Sequence, residues 1–295
     1  MSTKLIDILN ELTDDQASSA LSKTIKATSV EDFVDKFKSI ASDNKVQAIL
    51  KAGRTDGNPD DEKISYSQQQ IKVDALIPTQ NEIGFDQSIQ NILTDQYGSL
   101  TSILDGNANV GGPIVTYNGK YIIDGHHRWS QVFAGNPKAS MDALNIQGNL
   151  KASEILKIVH AAIAVKLGKV PSNDPKGINI LKGVSYQQVL DAVNKNLTDK
   201  AKEIWAKNGQ ADNEAIAKYI HSNLELLIKK HKPITGAPGR KDMPQTDAED
   251  KNTKKTLDFI KAGVVNFKDP KAGDVKDDSG EVNEEIVRLK KLAGL

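Results

Sequence analysis

The residues with the most chemistry to offer stand in one run, Asp124-Gly125-His126-His127-Arg128. An arginine grips phosphate oxygens in bidentate fashion. A histidine donates to the same oxygens, or acts as general acid or base near neutral pH. The aspartate can hold a magnesium ion beside phosphates, deprotonate an attacking hydroxyl, or simply cap a helix. Gly125 lets a ligand approach the backbone closely. The candidate phosphate-binding set is therefore Gly125, His126, His127 and Arg128, with Asp124, His126 and His127 as candidate catalytic groups and Asp124 as the candidate metal ligand. Each has a plainer role open to it: a cap, a hydrogen-bonded histidine pair, a surface ion pair. What favours chemistry is that these types meet where a strand runs into a helix, because an opening helix presents free amides and the positive end of its dipole.

The junction follows from the flanking sequence. Pro113-Ile114-Val115-Thr116-Tyr117 and Lys120-Tyr121-Ile122-Ile123 flank Asn118-Gly119, a pair suited to the two positive-φ positions of a tight hairpin. The second strand runs straight into Asp124. Trp129, Val132 and Phe133 then recur at helical spacing until Gly135-Asn136-Pro137 ends the pattern. Upstream, Ile71, Val73 and Ala75 alternate with polar residues up to Leu76-Ile77-Pro78, which reads as one strand ended by proline, and Phe85, Ile89, Ile92 and Leu93 mark a short helix. A glycine-rich loop, Asp105 to Gly112, comes before the hairpin, and Met141, Ala143, Leu144 and Ile146 suggest one more strand after it.

Helical patterns flank this region. Leu5, Ile6, Ile8, Leu9 and Leu12 form one stripe, and the segment from Val30 to Leu50 forms another, with Phe33, Val34, Phe37, Ile40 and Ala41 on one face. The run Arg54 to Asp61 holds only turn formers and charges, as exposed linkers do. After residue 150, stripes recur over 153–167, 185–197, 199–207 and 213–231. The segment KPITGAPGRKDM is too rich in Pro and Gly for regular structure, 266–281 is charged and glycine-containing, and Val282, Ile286, Leu289 and Leu292 share one face of a short terminal helix. The segmentation expected is a helical arm and linker over 1–62, an α/β-type domain over 63–150, a helical domain over 151–232, and a flexible segment with an amphipathic end over 233–295.

Composition narrows the chemistry. The 295 residues include no cysteine, which removes thiol nucleophiles, disulfides and zinc-thiolate sites together. Lys plus Arg equals Asp plus Glu at 39 each, so nucleic-acid binding would need a local patch. One exists in Lys229, Lys230, Lys232, Arg240 and Lys241, where solvated loop charge is the competing explanation. No apolar run nears the ~20 residues of a membrane span, and the start MSTKLIDILNELTDD is unlike a signal peptide, so no membrane partner and a cytoplasmic location are expected. His160, among Ile155, Ile158, Val159, Ala162 and Ile163, reads as a core histidine or as a third ligand beside His126 and His127.

The stretch from Ile71 to Trp129, with KVDALIPTQNEI, a short helix, then GGPIVTYNGKYIIDGHHRW, resembles the N-terminal nucleotide-binding domain shared by ParB partition proteins, sulfiredoxins and free serine kinases. The DGHHR form is most similar to that of serine-kinase and phage ParB-like members. The resemblance covers about a quarter of the chain. It implies an α+β fold, with a small mixed-sheet ParB/sulfiredoxin-like domain flanked by N-terminal and C-terminal helical regions. It also implies ATP or CTP at Gly125 to Arg128, Mg²⁺ near Asp124, and a phage-encoded protein of the host cytoplasm or the virion. Glu82 matches an acidic position that kinase-like members use near the acceptor hydroxyl, and it reads equally as an exposed loop acid. Two departures bear on function. The sulfiredoxin cysteine is absent, which excludes sulfinic-acid reduction, and no helix-turn-helix with a basic recognition helix follows residue 150. The leading expectation is a nucleotide-binding protein performing Mg-dependent phosphoryl transfer or phosphodiester cleavage, with DNA as a further partner. The other is a non-catalytic virion or head-associated protein that meets phage structural proteins through residues 282–295.

Overall fold

The protein is described by a computed structural model that covers residues 12–52, 65–171, 177–244 and 254–258. The stripe starting at Leu5, the linker Arg54 to Asp61, the segment 266–281 and the terminal helix 282–295 lie outside the described residues. In chain order the elements are helices α1 (Asp14–Ile25), α2 (Val30–Lys38) and α3 (Asn44–Ala52), strands β1 (Ser65–Lys72) and β2 (Ile77–Pro78), and helices α4 (Phe85–Thr94) and α5 (Leu100–Leu104). Next come β3 (Asn107–Ala108), the hairpin β4 (Ile114–Tyr117) and β5 (Tyr121–Asp124), α6 (His126–Gly135) and β6 (Ser140–Gln147). Helices α7 (Ala152–Leu167), α8 (Tyr186–Asn196), α9 (Asp199–Lys207) and α10 (Asn213–Lys230) follow. The fold is α+β, with a six-stranded mixed sheet and flanking helices. Among the described residues no helix is long and apolar enough to cross a membrane.

Two compact units emerge, and they are not successive segments of chain. One takes its described residues from Met1–Ser65, Gly148–Ser172 and Asp242–Leu295, and the other from Tyr66–Gln147 and Asn173–Lys241. The region 151–232 is thus shared out: α7 belongs to the first unit and α8 to α10 to the second.

In the first unit, α7 is apolar on nearly every side, with Ile155, Leu156, Ile158, Val159 and the run 161–164 buried, as befits a helix that others cover. The pattern from Val30 to Leu50 is two helices rather than one. Asp43 breaks it, since its carboxylate accepts the amides of Lys45 and Val46 at 2.9 and 3.1 Å and that of Leu12 at 3.0 Å, giving α3 its own start.

The sheet of the second unit runs in the order β1-β6-β4-β5-β2, with β3 paired to β6. Pairs β2/β5, β4/β6 and β3/β6 are parallel, and β4/β5 is antiparallel. Asn118 and Gly119 take positive φ (50° and 64°), as a primed hairpin turn requires. Asn145 steadies this turn by accepting the Gly119 amide at 2.6 Å and the Thr116 hydroxyl at 3.0 Å. The expected strand from Ile71 to Pro78 is instead two strands at opposite edges, separated by a 3₁₀ turn at Val73–Ala75. Core demands outweigh the alternation there: Val73 donates its amide to Ala139 O, and its carbonyl accepts the buried indole N–H of Trp129 at 2.9 Å. Pro78 lies on the edge strand β2, where its missing N–H interrupts no ladder.

Helix α6 is the hub of the unit. Every residue from Trp129 to Gly135 is buried. Trp129 and Phe133 both make edge-on contacts with the ring of His231, and Asn223 of α10 donates to Ala134 O at 2.8 Å. Helix α4 packs beside α6, joined by the buried Ser130–Ser88 hydroxyl bond at 2.8 Å, and Trp205 of α9 donates to Ile92 O of α4 at 2.9 Å. The start of α6 is therefore fixed from several sides, which is what a site built on it needs.

Candidate functional site

Gly125 links β5 to α6 with φ 90° and ψ 26°, a left-handed conformation that L side chains rarely adopt. A Cβ here would lie 2.6 Å from Cγ2 of Ile114 on β4, so the turn sits hard against the sheet. The first intrahelical bond is from Trp129 N–H to Gly125 O, which leaves the amides of His126, His127 and Arg128 ahead of it. Among the described residues no side chain caps these amides, and the first turn has no acidic residue.

The two histidines tie the turn to the segment 79–84. The Thr79 amide donates to Nε2 of His126 at 3.1 Å, and the Gly84 amide donates to Nε2 of His127, also at 3.1 Å. Thr79 in turn donates its hydroxyl to Ile122 O on β5. A ring nitrogen that accepts an N–H carries no proton, so both imidazoles are neutral with the proton on Nδ1. Burial, then the His127 ring and the Arg240 guanidinium, push His126 down to about 3. Burial and Arg240 push His127 down to about 4. At neutral pH these side chains act as neutral hydrogen-bonding groups, with Nδ1–H as the remaining donor of each.

Arg128 is held from both sides. Its Nη1 donates to Pro113 O at 2.8 Å, anchoring the glycine-rich loop, and its Nη2 meets Asp124 Oδ2 at 3.4 Å. These contacts use two of the five guanidinium donors. Asp124 ends β5 and is partly exposed. A short leash between carboxylate and guanidinium suits a pair that must keep its geometry while one member meets a ligand.

Glu82 is brought to the same end of the sheet, where its Oε2 accepts the backbone amide of Arg240 at 3.2 Å. The loop carrying Arg240 lies along the segment 78–82. Ile234 donates to Pro78 O, Asn81 donates its amide to Pro238 O, and the Asn81 side chain donates to Ala237 O. Asn179 braces the other side, accepting the Ile83 amide and donating to Asn81 O. The charge of Arg240 is opposed by burial and favoured by the Asp124 and Glu82 carboxylates. The basic patch read from the sequence is therefore divided: Lys229, Lys230, Lys232 and Lys241 are exposed, and Arg240 is half-buried beside Asp124, Glu82 and both histidines.

Arg240 is the member of the constellation that sequence reasoning missed, having grouped it with the loop lysines. Its sole local signal is an arginine directly after the turn formers Gly236-Ala237-Pro238-Gly239, and no spacing rule connects it to Glu82, 158 positions earlier. His160 belongs to the first unit, is buried, and has both ring nitrogens without a hydrogen-bond partner. Among the described residues no group of three or more His, Asp or Glu is placed to hold a metal ion. Magnesium would thus need phosphate oxygens as well as a carboxylate, the usual way it is bound beside nucleotides. No protein-family model, curated protein or solved structure matches the chain.

Proposed function

We propose that the start of α6 is a phosphate-binding site and that the chain is a nucleotide-binding protein of ParB/sulfiredoxin-like type, encoded by a phage. The observation that carries this reading is the make-up of that start: a left-handed glycine pressed on the sheet, three amides ahead of the first helical bond, no capping side chain, no acid, and an arginine in the first turn. With Arg128 already paired to Asp124, the helix end still carries roughly half a positive charge and three amides ahead of the first helical bond, and a phosphate would answer both.

Charge counting favours a magnesium-bound ligand. Arg128 and Arg240 oppose Asp124 and Glu82, the histidines are neutral, and the helix end adds roughly half a positive charge. A free triphosphate would overload such a site, whereas ATP or CTP with Mg²⁺ fits it. Asp124 would hold the metal, and Glu82 would deprotonate an acceptor hydroxyl or water. Phosphoryl transfer and phosphodiester cleavage both suit these groups, since positioning and charge neutralisation dominate such reactions. DNA is the substrate of the second.

The test is calorimetric titration of the full chain with ATP and CTP in the presence of Mg²⁺, beside the Arg128→Ala variant. Binding in the micromolar-to-millimolar range, weakened at least about tenfold in the variant, is expected, because a charge-assisted contact is worth about 1.5–3 kcal/mol. No binding to the wild type, or binding indifferent to Arg128, refutes it. Incubation with single- and double-stranded DNA and Mg²⁺ separates cleavage from transfer.

A further inference from the structure

We propose that Arg240 is the second anion-binding guanidinium of this site and that it selects a di- or triphosphate over a monophosphate. The inference rests on the phosphate-binding reading of the α6 start and adds to it the length of the phosphate chain.

Three observations support it. The first is placement. Four hydrogen bonds lay residues 234–240 along 78–82, and the last of them joins the Arg240 amide to Glu82. The same segment is held to α6 by the bonds from Thr79 to His126 and from Gly84 to His127. The loop is thus fixed to the helix start through two short relays.

The second is that the Arg240 guanidinium is under-used. Among the described residues it forms no ion pair: Glu82 takes its backbone amide, and Asp124 pairs with Arg128. A half-buried guanidinium with five donors and no direct carboxylate partner is costly unless something else answers it. Its charge is felt by His126 and His127, the first two residues of α6.

The third is division of labour. Arg128 is anchored to Pro113 O on the β4 side of the turn, and Arg240 arrives on the β2 side with Glu82. One phosphate at the amides of His126 to Arg128 uses Arg128. A second phosphate, bonded to the first, is needed to engage an arginine on the opposite flank.

The experiment titrates the full chain with AMP, ADP and ATP, each with Mg²⁺, in wild type, Arg240→Met, Arg240→Lys and Arg128→Ala. In the wild type ADP should bind at least about tenfold more tightly than AMP. Arg240→Met should abolish that preference while changing AMP affinity less than about threefold, and Arg240→Lys should recover part of it. If Arg240→Met keeps the preference while Arg128→Ala loses binding, the inference falls and the phosphate-binding reading stands. Equal loss of AMP and ADP in Arg240→Met makes Arg240 a support of the whole site and overturns the selectivity. If no ligand binds the wild type, both fall. Should Arg240→Met fail to fold, competition on the wild type decides: pyrophosphate must displace bound ADP at least about tenfold better than inorganic phosphate, and parity refutes the inference.

Discussion

Replacing both His126 and His127 by glutamine should remove most of the acid sensitivity of the sheet-containing unit. Glutamine reaches about as far as the imidazole Nε2 and can accept the Thr79 and Gly84 amides, but it does not titrate. In the folded protein the two rings stay neutral down to about 3 and about 4. Once unfolded, each takes up a proton below its ordinary value near 6.5. The unfolded chain therefore binds more protons than the folded one between roughly pH 6.5 and pH 4, so stability falls as pH falls through that window. At ~1.4 kcal/mol per proton per pH unit, each histidine costs about 2 kcal/mol at pH 5, and the pair about 4. That is a large share of the 5–15 kcal/mol typical of a whole domain.

The readout is built in, because the chain has two tryptophans and both, Trp129 and Trp205, are buried in this unit. Urea unfolding followed by tryptophan fluorescence at pH 7.5, 6.5, 5.5 and 5.0 compares wild type with the double variant. The wild type should lose about 4 kcal/mol more than the variant between pH 7.5 and 5. Parallel pH profiles would refute the reasoning, as would an NMR titration showing either ring protonating near pH 6.5 in the folded protein. His231, also in this unit, is pushed down chiefly by burial, but it is common to both proteins and cancels in the comparison.

Further outcomes follow from local geometry. Gly125→Ala meets Ile114 and a positive φ together and should cost about 2–4 kcal/mol in urea unfolding, whereas Gly119→Ala meets open space and should cost only about 1 kcal/mol for its φ. Asn145→Ala leaves the Gly119 amide and the buried Thr116 hydroxyl without their acceptor, and should cost about 1–3 kcal/mol in the same assay. His160→Leu should stabilise the first unit by about 1–3 kcal/mol, since it removes a buried ring with two unpartnered nitrogens; unchanged or lower thermal stability would contradict that.

What the sequence revealed was whatever is written in short-range chemistry. Asn118-Gly119 announces its turn because few residues tolerate two successive positive φ values, and the junction at Asp124 to Arg128 follows once the hairpin is placed. Helices α9 and α10 begin at Asp199 and Asn213 because Thr198 and Asp212 cap them, and those caps are visible in the chain. Long-range competition stayed hidden. The alternation from Ile71 to Ala75 matches a strand, yet the Trp129 indole and the Ala139 carbonyl claim Val73 for a turn. The allocation of α7 and α8–α10 to different units depends on which apolar faces meet, and periodicity reports only that such faces exist.

The candidate site shows the same split and gives it a physical meaning. Helices α1, α2, α9 and α10 open with a Thr, Ser or Asp cap and at least one acid in the first turn, the arrangement that stability alone favours. Helix α6 opens with glycine, two histidines and an arginine. That departure was legible. What the sequence did not reveal is how the protein tolerates it: both histidines are kept neutral by burial while accepting backbone amides, and Arg128 is restrained by Pro113 and Asp124. The charges then grouped at the turn are two arginines and two carboxylates, drawn from three separate stretches of chain. If stability were the sole reason for that grouping, Arg240→Met would destabilise the unit, because it removes one member of a charged group and leaves two carboxylates facing a single arginine. A stabilised Arg240→Met variant that has lost its preference for ADP is therefore the combination that identifies a functional arginine, since no structural role predicts gain and loss together.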